Sequence, residues 1–239
     1  MTNIKSKQIE INKQVQSIIT KNFIRITSDI EETINSIYQE KQEVLLEIII
    51  QRILHNKQNA DTLDGFIFQK LLNTNIKVIK DKLNNYFPDG VATLKPSLQI
   101  NYQPLQDILI NQKFQEADKL TSQYLCELVE IKTNYKKNWL YFTDIQFMPS
   151  EDLFTLDLLW KIYSKGKFGL SIQKKIWTSN NKKWEKLWEK IGWTDNGNTK
   201  RYPNEFIWTL DAPQGHLPLS NQLRGTKTLL YLFNKITWN

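Results

Sequence analysis

The chain has 239 residues, enough for one large domain or for two smaller domains that each bury a hydrophobic core. Lysine and arginine outnumber aspartate and glutamate by 32 to 25, so the net charge is +7, which allows an anionic ligand, an acidic protein, nucleic acid or an anionic membrane surface as partner. One cysteine and two histidines exclude a disulfide framework and a cysteine-rich or histidine-rich metal site.

No apolar stretch reaches the roughly 18 to 20 residues that a membrane-spanning helix requires. The most apolar run, residues 44–50, is interrupted by Glu47. The N-terminal stretch has no apolar signal core and contains Glu10, which argues against a secretory or transit peptide. We therefore expect a soluble protein that works where it is made, with at most peripheral membrane association.

The first part of the chain predicts a helical bundle. Apolar residues recur there at helical spacing in short blocks, for example Ile30, Ile34 and Ile37. Its strongest turn signal is the Phe-Pro-Asp-Gly sequence of residues 87–90. All eight tryptophans come later, at or beyond Trp139. We therefore divide the chain into an N-terminal helical bundle, residues 1–90, and a second helical domain, residues 91–239.

The second domain begins with further helical patterns. Residues 104–132 predict a helix pair that carries Cys126 on an apolar face, where an inert core thiol is expected. The next helix should have Ser150 as its N-cap, with Glu151 and Asp152 stabilising the first turn, and should end at Gly166. These patterns predict an all-α fold class.

Further along, a helix is predicted from Asn180 to Ile191, and helical structure resumes around Asn221. Tryptophans at helical spacing among leucines predict core positions, namely Trp160, Trp184 and Trp188. Between these helices, residues 193–219 contain a turn sequence and several prolines, so we expect a long ordered loop. Such loops are uncommon unless they are functional.

Two apolar stretches are candidates for a ligand pocket. The long loop carries Tyr202, Phe206 and Trp208, which do not lie on the apolar face of a predicted helix. Residues 141–148 form a second apolar stretch, which ends at Pro149. The alternative is ordinary packing of these loop residues onto the helices. Nothing resembles a nucleophile elbow, a phosphate-binding loop or a dinucleotide-binding fingerprint, so we predict a non-enzymatic protein without catalytic residues or metal ligands.

Four sequence blocks, in order and with nearly conserved spacing, closely resemble the tetrapyrrole-binding core of the genomes-uncoupled family. The blocks lie between Trp139 and Lys227 and read WLYFTDI, DLFTLDLLWKIYSKGKFGLSIQKKIW, KLWEKIGW and APQGHLPLSNQLRG. The resemblance implies an all-helical core whose two loops enclose a porphyrin, protoporphyrin IX or magnesium protoporphyrin IX. It also implies stimulation of magnesium chelatase in chlorophyll synthesis through that enzyme's large porphyrin-binding subunit, in the plastid stroma or the cyanobacterial cytoplasm.

The resemblance also assigns ligand-binding positions. The apolar pocket residues of the family correspond to Phe142, Ile145, Met148, Tyr202 and Phe206, its basic pair corresponds to Arg224 and Lys227, and Trp208 lies beside them. Tyr202 stands where cyanobacterial relatives carry tryptophan, and Lys227 where they carry a second arginine. Because lysine lacks the bidentate guanidinium, we expect looser carboxylate geometry at Lys227 than at Arg224.

Three alternatives stay open. A haem-binding protein needs an axial ligand, for which His216 is the candidate, although a structural histidine is the favoured interpretation. An RNA-binding helical module is suggested by lysines interleaved with tryptophans between Lys174 and Lys186. A scaffold would use the N-terminal bundle as its partner site. We favour a monomeric porphyrin-binding protein that does not bind nucleic acid.

Overall fold

The computed structural model describes residues 17–95, 97–195, 197–219, 223 and 225–238. The chain divides into two compact units between Thr93 and Leu94. Regular structure in both units is almost entirely α-helical, so the predicted all-α class is confirmed. Within the described ranges, none of the helices has the length and apolar character needed to cross a membrane.

The first unit is built from amphipathic helices around one aliphatic core. Its helices are α1 (Ser28–Glu40), α2 (Gln42–Ile49), α3 (Thr62–Leu72) and α4 (Lys77–Tyr86), and α2 continues directly into a π-helical segment, Ile50–His55. The core lies where their apolar faces meet, and its fully buried members include Ile34, Leu45, Ile49, Leu63 and Leu83.

Arg52, in the π-helical segment, is fully buried and organises this unit. Its guanidinium donates to the carboxylates of Asp64 and Asp61, each at 2.7 Å. It also donates to the backbone carbonyls of Ile18 at 2.8 Å and Lys21 at 2.6 Å. The arginine therefore joins the start of α3 to the segment that precedes α1, and its charge is neutralised in the interior.

The second unit contains α5 (Gln103–Ile110), α6 (Phe114–Thr133), α7 (Ser150–Tyr163), α8 (Leu170–Ser179), α9 (Trp184–Lys190) and α10 (Thr226–Lys235). A 3₁₀ turn, Ile145–Phe147, precedes α7, and a small antiparallel hairpin pairs β1 (Thr194–Asp195) with β2 (Asn198–Thr199). The indole of Trp160 is fully buried, stacks on Phe114 and donates to Thr121 at 3.0 Å. The prediction that Trp160 belongs to the core is confirmed.

A stack of tryptophans runs along α8, α9 and the segment that follows. The ring centroids of Trp177 and Trp184 lie 4.8 Å apart, those of Trp184 and Trp188 5.5 Å, and those of Trp188 and Trp193 5.2 Å. Trp177 is buried, whereas Trp184 and Trp188 are only half-buried. Trp184 and Trp188, which were predicted to lie in the core, are therefore only partly buried and stack on neighbouring indoles.

Two predicted helix starts in this unit are wrong. Ser150 is the first residue of α7 and Pro149 its N-cap, without a side-chain cap. Asp152 is buried and accepts hydrogen bonds from the Tyr102 hydroxyl at 2.9 Å and the Gln99 amide at 3.1 Å, so it fixes the approach to α5. Exposed Glu151 pairs with Lys95, and both acids lie in the first turn of α7, as predicted.

The helix predicted from Asn180 begins at Trp184, because Asn181 and Lys182 have positive φ values of 52° and 58° and end the helical path after α8. The predicted end of α7 is confirmed, since Gly166 has φ 72° and its amide bonds the Lys161 carbonyl at 2.9 Å. The predicted start at Asn221 lies outside the described residues, and α10 begins at Thr226.

Two irregular segments interrupt the helices of this unit. We name residues 134–149 the first loop and residues 200–225 the second loop. The 3₁₀ turn of the first loop packs against α6 and α10, and the Lys235 ammonium donates to the carbonyls of Ile145 at 3.0 Å and Gln146 at 2.8 Å. Leu140 forms a parallel β-bridge with Leu223, which joins the two loops.

Buried side chains of the helical frame satisfy the backbone of the second loop. The Gln173 amide of α8 donates to the carbonyls of Gly215 at 3.0 Å and Pro218 at 2.7 Å. Gly215 has φ 76°, and a Cβ there would lie 2.8 Å from the Ile176 side chain, so this position requires glycine. The loop therefore has a defined path despite its lack of helix.

His216 is fully buried and uses both ring nitrogens to hold this loop. Nδ1 lies 2.6 Å from the Ile191 carbonyl and Nε2 accepts from the Ile207 amide at 3.1 Å, an arrangement that requires the neutral Nδ1–H tautomer. Burial lowers the pKa of His216 below its usual value. The predicted structural role of this histidine is confirmed.

We expect Arg52→Met to lower the free energy of unfolding of the first unit by about 3–5 kcal/mol, because it leaves the buried carboxylate of Asp64 unpaired. Urea unfolding followed in the full chain measures this change. Lys80→Met, at an exposed lysine of α4 in the same unit, is the control and should stay within about 0.5 kcal/mol of wild type. Equal effects of the two substitutions would contradict the role assigned to Arg52.

We expect the contribution of His216 to stability to fall as the pH drops below about 6.5, the ordinary histidine pKa, because only the unfolded state readily protonates this residue. Buried Asp118, whose pKa is raised, contributes in the opposite direction, so the test is the difference between wild type and a His216 variant. His216→Phe should remove this part of the pH dependence. The free energies of unfolding of wild type and variant, measured between pH 8 and pH 5, give the difference. His55→Gln, at the exposed histidine, should leave the curve unchanged.

Candidate functional site

One face of α6 forms the base to which both loops are attached. Asp118, Ser122, Cys126 and Glu130 follow one another at intervals of four residues, so they lie along one side of the helix. At one end, Asp118 accepts the Leu219 amide of the second loop at 2.6 Å. At the other, Glu130 accepts the Lys137 amide of the first loop at 2.5 Å. The helix therefore sets the spacing of the two loops.

The first loop presents Phe142 toward α10. The Lys227 ammonium lies 3.7 Å from the centroid of the Phe142 ring, and the Tyr231 ring lies 5.3 Å from it, tilted by 57°. Lys227 and Tyr231 are four residues apart on α10 and thus share a face of that helix. Two predicted site residues, Phe142 and Lys227, are brought into direct contact here.

Ile145 and Met148 occupy a different position from Phe142. Their side chains are 2% and 1% exposed, which places them in the hydrophobic core of the second unit. They lie in the same loop, on the side that packs onto the frame, whereas Phe142 is half-buried. Ile145 and Met148 therefore pack onto the helices, which was the alternative to a ligand contact.

The second loop gathers its aromatic residues into a separate cluster. The Trp208 ring lies 6.0 Å from Tyr202 and 6.3 Å from Phe206, and Phe206 lies 5.6 Å from the His216 imidazole. The Trp208 indole donates to the Pro203 carbonyl at 3.0 Å, which fixes its orientation. Tyr202 is 41% exposed, and Phe206 and Trp208 are half-buried. All three predicted aromatics of this loop therefore lie together with accessible ring surface.

The predicted basic pair is described only in part. Lys227 is exposed in the first turn of α10. Arg224 lies outside the described residues, between Leu223 and Gly225, which are both described.

Two cavities adjoin the bridged loops. One, of about 460 Å³, lies between α6 and the start of the first loop and is lined by Ser122, Gln123, Cys126, Glu127, Glu130, Lys137 and Asn138. The other, of about 250 Å³, is more apolar and is lined by Trp188, Trp193, Thr194, Thr199, Leu223, Gly225, Thr226 and Leu229. The first cavity thus adjoins the first loop through Lys137 and Asn138, and the second adjoins the second loop through Leu223 and Gly225.

Asp118 and Cys126 of α6, and Tyr202 of the second loop, have pKa values shifted toward their neutral forms. Burial raises the pKa of Asp118 to about 7, against the lowering effect of the Leu219 amide. Burial also raises the pKa of Tyr202, and the negative charge of Asp118 adds to this shift, which means that the phenol approaches α6. The pKa of the Cys126 thiol rises to about 11, mainly through burial, so the thiol stays protonated and the expected inert role is confirmed.

The structure gives little support to the alternative sites. Both ring nitrogens of His216 are engaged with the backbone, so neither is available as an axial haem ligand. In the lysine-rich segment, the Lys174 ammonium donates to the Ile236 carbonyl at 2.5 Å and Lys186 pairs with Glu189 at 2.9 Å. Among the described residues, no group of three or more histidine, cysteine or carboxylate side chains is arranged to hold a metal ion.

Sequence reasoning missed two residues of this region. Tyr231 contacts Phe142, and its spacing of four from Lys227 on a predicted helix was the available signal. Asp118 supports the second loop from α6, a contact between residues 101 positions apart. No local pattern predicts such a contact, because a charged residue between apolar positions has the appearance of a solvated one.

Comparisons with known proteins identify the family. The GUN4-like family model matches residues 95–236, which is most of the second unit. An uncharacterised protein, ycf53, of the red alga Pyropia yezoensis is 40% identical over 235 residues, covering 98% of this chain and 97% of its own length. The chloroplastic tetrapyrrole-binding protein of Arabidopsis thaliana is 34% identical over 137 residues, covering 54% of this chain and 51% of that protein.

A solved structure agrees with this match. The structure of GUN4 from Chlamydomonas reinhardtii superimposes with a TM-score of 0.53 and 38% sequence identity, over 61% of this chain and 96% of that one. The resemblance inferred from the four sequence blocks is thus confirmed by the family model, by the relatives and by the fold. On this evidence the chain belongs to the GUN4-like family.

Proposed function

We propose that this protein binds protoporphyrin IX and magnesium protoporphyrin IX, without catalysing a reaction on them, and stimulates magnesium chelatase in chlorophyll synthesis. The ligand is held between the first loop and the second loop above α6. Phe142, Tyr202, Phe206 and Trp208 supply aromatic walls. Ile145 and Met148 support the first loop from within the core, and Arg224 and Lys227 face the two propionates.

The observation that carries this proposal is the accessible aromatic surface of the two loops. Aromatic side chains of the core, such as Tyr102, Trp160 and Phe168, are fully buried, whereas Tyr202 is 41% exposed. Leaving aromatic surface in water is unfavourable, so a cluster of exposed rings on rigidly held loops fits a ligand with large apolar faces. A porphyrin has two such faces and carries its charge at one edge.

The energies are of the right order for a transient carrier. If a porphyrin loses about 400 Å² of apolar surface to the site, the gross gain is about 10 kcal/mol at about 25 cal/mol/Å², from which the costs of association must be subtracted. A contact between a propionate and Lys227 adds at most about 1 kcal/mol, because that side chain is exposed. We therefore expect dissociation constants near micromolar.

The described side chains offer recognition rather than chemistry, since Asp118, Cys126 and His216 are engaged or protonated in the frame. Insertion of magnesium accordingly belongs to the chelatase, whose large porphyrin-binding subunit is the proposed partner. This protein would deliver the metal-free porphyrin, withdraw the magnesium product, or bias a conformation of the enzyme. The family relationship supports action in a plastid stroma or in a cyanobacterial cytoplasm.

Phe206→Ala tests the site. We expect the affinity for protoporphyrin IX to fall about 30-fold, the effect of losing a central aromatic contact of about 2 kcal/mol. Quenching of tryptophan fluorescence during titration gives the dissociation constant. Stimulation of magnesium insertion by purified chelatase subunits should fall in parallel.

Phe154→Ala is the matched control, because Phe154 is 39% exposed on α7 and belongs to neither loop. It should bind porphyrin like wild type. The thermal unfolding midpoint establishes that each variant is folded. Porphyrin binding that is equally strong in wild type and in a folded Phe206→Ala variant would show that the second loop is not the site.

A further inference from the structure

The described cation of the candidate site, the Lys227 ammonium, lies against an aromatic ring of the first loop. The Lys227 ammonium lies 3.7 Å from the centroid of the Phe142 ring, well within the distance at which a cation is attracted to an aromatic face. The same ring is in contact with Tyr231. The ammonium therefore covers a face of Phe142 that a porphyrin would need for stacking.

The backbone around Phe142 is held in place, so the aromatic partner is the fixed one. Asp144 accepts the Tyr141 amide at 2.9 Å and the Lys137 ammonium at 3.1 Å, which closes a turn around Phe142. The neighbouring Leu140 is buried in its bridge with Leu223. Asp144 is paired with Lys137, whereas the Lys227 ammonium lies over the Phe142 ring.

Lys227 is the movable partner. It is exposed in the first turn of α10, and its four-carbon side chain can place the ammonium at several positions without any change in the backbone. A carboxylate at the rim of the site offers this ammonium a charged acceptor in place of the ring.

We propose that Lys227 acts as a latch on Phe142, which a ligand carboxylate opens. The latch makes recognition of the carboxylate a condition for exposing the aromatic wall, so that it selects carboxylate-bearing porphyrins against neutral ones of the same shape. This inference rests on the proposed function, since it assigns Phe142 and Lys227 to the porphyrin site. It differs from a simple ion pair, because Lys227 then also opposes the binding of ligands that lack a carboxylate.

The test compares protoporphyrin IX with its dimethyl ester on wild type and on Lys227→Met, by fluorescence titration. The substitution keeps an unbranched four-atom side chain but removes the ammonium and its charge. We expect the affinity for the free acid to fall and the affinity for the ester to rise about two- to fivefold, the equilibrium cost of displacing an exposed cation from a ring. Lys175→Met, at an exposed lysine of α8, controls for net charge and should change neither affinity.

An ester affinity that is unchanged or lower in Lys227→Met would overturn the latch, while binding of the free acid to wild type would leave the proposed function intact. Binding of neither porphyrin to wild type would overturn both. A second measurement does not depend on any ligand. The side-chain methylene protons of Lys227 should show an upfield ring-current shift by NMR that is lost in Phe142→Leu, and absence of this shift in the wild type would also overturn the latch.

Discussion

The site depends on the hydrogen bonds by which helical side chains satisfy the backbone of two irregular loops. A loop that is partly buried has amide and carbonyl groups that neither water nor a helix satisfies. Asp118, Gln173 and His216 form hydrogen bonds with backbone groups of the second loop. Glu130 and Lys235 form hydrogen bonds with backbone groups of the first loop. The aromatic side chains on the loops are therefore positioned by side chains of the helical frame.

This arrangement separates stability from binding. Asp118, Gln173 and His216, which fix the second loop, are buried, whereas its rings Tyr202, Phe206 and Trp208 keep accessible surface. A substitution among these rings should therefore leave the path of the loop intact. The first unit has its own core, which is held by a different set of interactions, including the hydrogen bond from Arg52 to Asp64.

The sequence was sufficient for the fold class and for most helices, because amphipathic periodicity and glycine stops such as Gly166 are local signals. It failed where a polar residue had a distant partner. Ser150 has the sequence signature of an N-cap, yet it is the first residue of α7. Two residues later, the buried carboxylate of Asp152 accepts a hydrogen bond from Tyr102, which lies fifty residues earlier in the chain. Asn180 lies in a turn because positive φ values at Asn181 and Lys182 cannot be read from the residue types.

The candidate site shows the same division. The aromatic content of the second loop was evident from the sequence, because prolines prevent a helix that could bury it. The sequence did not show which side chains of the first loop point inward, because Phe142 and Ile145 are both strongly apolar. Only tertiary packing distinguishes the half-buried Phe142 ring from the buried Ile145 side chain. The contact between Lys227 and Phe142 joins residues 85 positions apart and has no local signal.

The tryptophan stack has a spectroscopic consequence. Four indoles with centroids 4.8–5.5 Å apart are close enough for their transition dipoles to couple, so they absorb in the near ultraviolet as a coupled set of chromophores rather than as independent ones. The sign and amplitude of the resulting exciton band depend on the packing of α8 against α9. The second unit thus contains an intrinsic optical label for its own tertiary structure.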